Sequence, residues 1–524
     1  MAGLSRMRRS DQTRASRAAR HVGAGIFLSR LLGFVRERIF AHFFGTGLHA
    51  DAFRAALRMP NVIQNLLGEG TLSASMIPVY AEFLEEGRDE DARRFAGAAL
   101  GILTVVAASM ALVGVLVAPW MVGLFFWKWD PEKQALTTAL LRILFPMTGV
   151  LVLSAWALGI LNSHRRFFVS YMAPVFWNLA MITAMVVGGA WLLRADTELV
   201  TLLAWGALVG GLLQFGVQLP FVYRHLGRIS WSLGRGVAGV SEAVRNFGPV
   251  VAARGVVNLS GWVDVILAGM LAGGAVALLG YAQTFYMLPI SLFGMSVAAS
   301  ELPELSRMRQ EDRAVLADRV SAALRRVAFF LIPSAWGYLL LGDVAVSALY
   351  QTGAFGTAQS LATWIVLGAY SVGIPASASS RVLSSAFYAL RDTRTPARQA
   401  YVRVAVSALV GVGLMFPLDR MGIAGIRLGA AGLALGASAG AWVEYVLLRR
   451  GLGRAVGPHG AGVGPLVRMA LAASLAGGVG VAIQSLAGPG HPALVAVETL
   501  LPFGVVYLSA AAAMGVGIPL RRAT

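Results

Sequence analysis

Fourteen times along this chain an apolar run long enough to cross a membrane recurs, each bordered by proline, glycine or charge. A bilayer core about 30 Å thick needs ~20 residues of helix. The approximate limits are 22–44, 50–82, 92–126, 134–161, 168–193, 198–223, 240–270, 274–303, 314–345, 358–390, 394–417, 422–448, 465–486 and 492–518. Backbone N–H and C=O groups in hydrocarbon have only one another as partners, so such runs form helices. A soluble domain is about 25% charged. Here 13% of the 524 residues are charged and 57% are hydrophobic, with mean hydropathy +0.68. The predicted fold class is an all-α integral membrane protein of about 14 transmembrane helices, with no length left for a large soluble domain.

The net charge of +18 raises nucleic acid as a partner. The arginines punctuate apolar runs without forming one basic surface, so no nucleic acid is expected, and residues 1–21 read as a basic cytoplasmic tail near anionic lipid. With the N-terminus inside and span ends counted with the loops they adjoin, 31 of the 44 Lys and Arg fall on the cytoplasmic side, 5 on the outer side (Lys128, Lys133, Arg194, Arg420, Arg427) and 8 deeper within spans. That bias follows the positive-inside pattern and places both termini in the cytoplasm. The first apolar run is interrupted by Arg30 and Arg36 and lacks a small-residue cleavage pattern, so it reads as a retained helix. Zero cysteines exclude disulfides and thiolate chemistry, and the seven histidines show no paired ligand spacing. No metal and no cofactor are expected.

A weak internal repeat accompanies the spans. Ser75-Met76-Ile77-Pro78 resembles Ser300-Glu301-Leu302-Pro303, the prolines 225 residues apart, and Ala92-Arg93-Arg94-Phe95 aligns with Ala317-Asp318-Arg319-Val320 at the same offset. The basic link Asn162–Arg166 falls opposite Arg391–Arg394 at a similar one. Duplication of a six-helix unit gives two parallel lobes, an arrangement that transporters use to build a binding cavity. The expected division is 22–223 for the N-terminal lobe (spans one to six), 240–448 for the C-terminal lobe (seven to twelve), and 465–518 for two added helices.

The chemistry concentrates in the first two spans. Arg30, Arg36, Glu37 and Arg38 lie on the first; Asp51, Arg54, Arg58 and Glu69 line one stripe of the second. A central arginine costs about 2.5–3.5 kcal/mol to insert. Five arginines against three acids therefore face either water and an anionic ligand, or one another. One reading is a cationic cavity whose guanidinium forks suit phosphate oxygens. The other is ion pairing that holds the two helices together, for example Arg36 or Arg38 with Asp51. Pro60 and Gly68-Glu69-Gly70 interrupt the second span, as a cavity lining or as a simple kink. Asp264, in the seventh span, is a candidate for a coupling ion or a partner of Arg254. Arg381, in the tenth, is a further candidate for the cavity wall.

Several of these stretches resemble the MurJ/MviN family, the lipid II flippases of the multidrug/oligosaccharidyl-lipid/polysaccharide (MOP) exporter superfamily. They are Ser29-Arg30-Leu31-Leu32-Gly33-Phe34-Val35-Arg36-Glu37, Phe44-Gly45, Ala50-Asp51-Ala52-Phe53, Met59-Pro60-Asn61 and Gly68-Glu69-Gly70-Thr71-Leu72-Ser73 with Pro78. Arg166-Phe167 with Pro174 and Asn178, Leu302-Pro303-Glu304-Leu305-Ser306, and Phe387-Tyr388-Ala389-Leu390-Arg391-Asp392-Thr393-Arg394-Thr395-Pro396 agree. The resemblance implies two six-helix lobes around a central cationic cavity, alternating access, and an undecaprenyl-pyrophosphate-linked peptidoglycan precursor as substrate. It places Arg30, Arg36 and Asp51 in the cavity and makes the last two helices a groove for the lipid tail. Two departures stand out: Gln64 and Asn65 replace a basic pair, and neither Thr284 nor Met287 supplies the charges that the family often carries in the eighth span.

The resulting expectation is a flippase in the bacterial cytoplasmic membrane and not an enzyme. Its substrate-binding residues are Arg30, Arg36, Asp51, Arg54, Arg58, Glu69 and Arg381. Its partners are a lipid-linked pyrophosphate, membrane lipids and candidate cell-wall synthesis proteins. The alternative is a related exporter of another polyprenyl-linked glycan, or a drug/cation antiporter. A membrane glycosyltransferase would need clustered carboxylates on an outer loop, and the short outer loops have none.

Overall fold

The computed structural model describes residues 25, 27–227, 229–271, 273–307, 313–423, 426–486 and 490–517, without the side chains of 62, 66, 69, 73, 249, 250, 252–260, 302–307 and 423. The basic tail 1–21 lies outside the described residues. Helix α1 covers 27–44 and is followed by α2 (Leu48–Leu67), α3 (Glu69–Ser75) and α4 (Ile77–Glu85). Next come α5 (Asp89–Phe125), α6 (Pro131–Ser163), α7 (Phe167–Val186), α8 (Asp196–Leu226) and α9 (Val240–Gly269). The second half holds α10 (Ala275–Pro289), α11 (Met295–Arg307), α12 (Arg313–Tyr350), α13 (Thr357–Ser371) and α14 (Ile374–Ala389). It closes with α15 (Arg394–Arg420), α16 (Gly429–Val456), α17 (Val463–Leu486) and α18 (Pro492–Ala513). A two-residue hairpin, β1 (Gly422–Ile423) with β2 (Ile426–Arg427), joins α15 to α16.

Among the described residues, helices cover each of the fourteen expected runs. Ten are long and apolar enough by composition alone, and α13 with α14 makes an eleventh, bent by 41°. α1, α2 and α9 stand in the other three runs, carry charged and polar residues, and are not among those helices. The second run, 50–82, is not one helix. Gly68 takes ψ −152° and ends α2, and an added Cβ there would lie 2.2 Å from the Gln64 carbonyl oxygen. Pro60 sits inside α2 without ending it. α7 and α10 each run into a wider π-turn, Val187–Trp191 and Ile290–Gly294.

Helix ends follow local chemistry. Asp89, Glu90 and Asp91 open α5, where the helix dipole favours negative charge. Pro131 and Pro492 occupy first-turn positions in α6 and α18, where a missing N–H costs nothing. At the two basic links the chain closes in the same way. Arg165 (φ 57°) and Arg391 (φ 61°) both enter the left-handed region. The next residue then donates back five positions, Arg166 N to Leu161 O at 2.8 Å and Asp392 N to Phe387 O at 2.9 Å. This is the hydrogen-bond pattern of a Schellman cap.

The described chain divides into two compact units. One comprises residues up to Phe44 with Leu48–Trp262; the other comprises Gly45–Gly47 with the residues from Val263 onward. The boundary falls inside α9. In the first unit, buried Trp156 of α6 donates to the Ala96 carbonyl of α5 at 3.1 Å. In the second, Tyr281, Tyr350 and Phe355 form a buried ring cluster, with Tyr281 donating to the Gly45 carbonyl at 2.8 Å. α17 and α18 pack on α12 through Ala472, Ala473, Ala476 and Ala511, and Tyr507 donates to the Phe329 carbonyl at 2.6 Å. Large apolar side chains remain exposed along the helices, Leu116 and Trp120 of α5, Leu409 of α15 and Leu501 of α18 among them. Hydrocarbon tolerates such a surface where water would not.

Candidate substrate-binding residues

In the first unit, Glu37 of α1 is shared by two guanidinium groups. One carboxylate oxygen accepts from Arg36 at 2.8 Å, and the other accepts from Arg54 of α2 at 2.6 Å. Arg36 also donates to the Asn178 side-chain oxygen of α7 at 3.0 Å and lies over the Trp177 ring at 4.9 Å. Arg54 lies over Phe40 at 5.0 Å. Asn178 is itself oriented, its side-chain amide donating to the Pro174 carbonyl one turn earlier at 3.1 Å. Three helices thus fix two arginines around one carboxylate, leaving a net positive charge in a half-buried setting. Guanidinium planes held this way keep their outer N–H groups pre-aimed, which suits a bidentate oxyanion.

The remaining candidates are distributed differently. Arg30 and Arg58 are exposed side chains on α1 and α2. Arg58 lies against α9, since a Cβ added to Gly261 would meet one of its guanidinium nitrogens at 2.5 Å. Asp51 is buried to 1% exposure and pairs with Lys133 of α6 at 2.7 Å, Lys133 in turn standing 3.9 Å over the Trp129 ring. The ion-pair reading named Arg36 or Arg38 as its partner; the lysine at the start of α6, counted with the outer loops, is a partner it did not name. The side chains of Glu69 and Arg254 lie outside the described residues. Asp264 is half-buried on α9, in the second unit, and Arg381 is an exposed side chain on α14.

The second unit contains a polar cluster that the sequence reading missed. Arg403 of α15 donates to Glu444 of α16 at 2.9 Å and approaches the Ser377 hydroxyl of α14 at 3.4 Å. The Tyr286 hydroxyl of α10 lies 2.6 Å from that same serine oxygen, and Gln283 donates to the Tyr370 hydroxyl of α13 at 3.1 Å. A lone carboxylate in the 422–448 run was the available signal. Thr284 satisfies itself on the Gly280 carbonyl at 3.1 Å, and Met287 is 41% exposed. Besides Arg381, Arg403 and Glu444, this unit buries Glu301 of α11, which accepts from Arg319 at 2.9 Å and from Arg326 at 3.2 Å, both on α12.

Comparison with known proteins agrees with this architecture. The family model described as lipid II flippase MurJ matches residues 40–492. A probable lipid II flippase MurJ of Rhizobium tropici is 33% identical over 415 residues, covering 77% of this chain and 76% of the relative. The lipid II flippase MurJ of Burkholderia cenocepacia is 29% identical over 401 residues, covering 75% and 76%. Among solved structures, a lipid II flippase MurJ in an inward closed conformation superposes with TM-score 0.78 at 22% identity, over 94% of this chain and 98% of that one. An inward-facing multidrug-resistance MATE transporter of the MOP superfamily gives 0.64 at 14% identity, over 80% and 95%. The fold is therefore that of MOP-superfamily transporters, and the chain belongs to the lipid II flippase MurJ family of multi-pass membrane proteins.

Proposed function

We propose that this protein is a flippase that carries lipid II, the undecaprenyl-pyrophosphate-linked peptidoglycan precursor, from the cytoplasmic to the outer leaflet of the bacterial inner membrane. The observation that carries the reading is the Arg36–Glu37–Arg54 constellation in a chain of the MurJ family. Pyrophosphate offers oxygens at the spacing that two guanidinium forks match. Arg30 and Arg58, exposed on the same two helices, add positive charge for the second phosphate, and Arg381, exposed on α14, is a further substrate-binding candidate. Asp51, locked to Lys133, acts by holding α2 against α6. The break at Gly68 gives α2 a point of bending as the site opens alternately to the two membrane faces.

The polyprenyl tail stays in lipid along α17 and α18. Both termini face the cytoplasm, and cell-wall synthesis proteins are the natural recipients of the flipped precursor. Asp264 is the candidate for a coupled ion. The membrane potential supplies about 2.3 kcal/mol per charge moved through 100 mV, enough to bias a two-state cycle. The test is complementation in flippase-depleted cells. The Arg30→Ala, Arg36→Ala double variant, expressed at wild-type level, is expected to fail to sustain growth, and the purified variant to lose lipid II translocation in liposomes. Wild-type growth from that variant would sink the assignment of these arginines to the substrate.

A further inference from the structure

The end of α16 builds a basic pocket that substrate binding does not use. Tyr445, Arg449 and Gly453 follow one another at four-residue spacing on one face, with Val446 and Arg450 beside them. Past Val456 the chain doubles back, Gly457 (φ 93°) and Gly460 (φ 152°) making the reversal, so that Pro458 and His459 close the other side. These residues enclose about 440 Å³. The reversal is fixed from three directions. Gly460 N donates to Ser321 Oγ of α12 at 3.0 Å, His459 Nδ1 sits 3.0 Å from the Gly457 carbonyl, and Arg449 reaches the His459 carbonyl at 3.5 Å. His459 Nε2 is buried with no hydrogen-bond partner among the described residues.

Three properties select a ligand. First, no carboxylate lines the pocket, and among the described residues neither Arg449 nor Arg450 makes an ion pair, so both exposed guanidinium groups carry uncompensated charge. Second, the pocket sits beside aromatic residues of the kind that mark a membrane–water boundary. Trp442 packs edge-to-face on Tyr445 at 5.7 Å and donates to the Val372 carbonyl at 2.9 Å. Third, its volume falls within the roughly 300–1,000 Å³ of small-molecule sites, more than a bare inorganic anion fills. Basic pockets between membrane helices at this depth recognise phospholipid head groups.

We propose that this pocket binds the phosphate of an anionic phospholipid head group, with Arg449 and Arg450 donating to the phosphate oxygens and Tyr445 packing beside the glycerol. Lipid binding here is independent of what the protein transports, since none of these residues belongs to the arginine cluster of α1 and α2. The detergent-purified full-length protein, wild type and Arg449→Gln, Arg450→Gln, is to be titrated by native mass spectrometry with short-chain phosphatidylglycerol and with phosphatidylcholine of the same chain length. Sodium phosphate is added as a competitor in a third arm. The expected result is retention of phosphatidylglycerol over phosphatidylcholine by the wild type, weakened about tenfold or more in the double glutamine variant. Partial retention by Arg449→Lys, Arg450→Lys, with an unchanged melting temperature in all variants without lipid, supports the pocket further. Equal retention by wild type and double glutamine variant overturns it, as does equal retention of the two lipids. Displacement of phosphatidylglycerol by millimolar phosphate assigns a free anion and overturns the lipid source.

Discussion

At the scale of single residues, the strongest constraint is the pair of Asp51 and Lys133, both nearly sealed from solvent and 2.7 Å apart. Removing one member takes the counter-charge at 2.7 Å from the other, at about 3–5 kcal/mol, whereas replacing both by apolar groups of similar size is close to neutral. Lys133→Met is therefore expected to lower the melting temperature sharply and Asp51→Leu, Lys133→Met to recover most of the loss, measured by thermal unfolding in detergent. A double variant as unstable as the single one would mean that the pair contributes more than charge neutralisation. His164, in the link after α6, gives a pH dependence. Its Nε2 lies 2.9 Å from the Tyr80 hydroxyl and its ring stacks on His225 at 4.3 Å. Burial first, then His225 and Arg166, hold its pKa below the usual value of 6.5, against an opposing pull from Asp89. As pH falls through about 6.5 the unfolded chain takes up the proton before the folded one does, so stability present above that pH is lost. His164→Gln is expected to flatten the fall in melting temperature between about pH 7 and pH 5. Parallel curves for the two proteins would remove His164 from the account.

At the scale of elements, a stripe of glycines on α16 decides how the second unit forms its polar cluster. Gly432, Gly436 and Gly440 recur every four residues and face α15. A Cβ at Gly436 would lie 2.5 Å from Gly411 N and 2.6 Å from Ser407 O, and one at Gly440 would lie 2.1 Å from Ser407 Oγ and 2.6 Å from Arg403 O. Glu444 is the next residue on that stripe, and the close approach brings it to Arg403. Gly436→Ala and Gly440→Ala are each expected to force the helices apart at about 1–3 kcal/mol. Ser407→Gly should relieve part of the Gly440→Ala defect, because one of its two clashes is with a side chain, and none of the Gly436→Ala defect, because its clashes are with backbone. Melting temperatures of the four variants check this. The same stripe explains why the cluster was illegible in sequence. Arg403 and Glu444 are 41 residues apart on different helices, so no spacing within one helix links them. Lys133 was hidden for a similar reason: it follows Asp130-Pro131 and reads as a loop charge until α2 packs against α6. By contrast, Glu37 with Arg36 and Arg54 was legible as a charged face on two neighbouring helices, and Gly68 as a break, since both are set by local periodicity and backbone freedom.

At the scale of the whole molecule, the helices were readable as apolar runs because each must satisfy its own backbone, and two of the links between them are built alike. The left-handed closures at Arg165 and Arg391, 226 residues apart, repeat one cap at matching points of the two halves. Six spans is an even number, so each half starts on the same face, and every link then alternates sides in a way fixed by the first. The bias of 31 against 5 basic residues leads to the expectation that this first face is the cytoplasmic one. The absence of cysteine makes the assignment directly testable, because any introduced thiol is the single one in the chain. Asp130, exposed before α6, should lie outside; Glu86, exposed before α5, should lie inside. Asp130→Cys is expected to react with a membrane-impermeant maleimide in cells with a permeabilised outer membrane, and Glu86→Cys only after the inner membrane is opened. The reverse pattern would invert every loop at once, and with it the direction in which the arginines of α1 and α2 receive their substrate. Labelling of both sites in intact inner membranes would instead put both ends of α5 on one face and remove that helix from the spans.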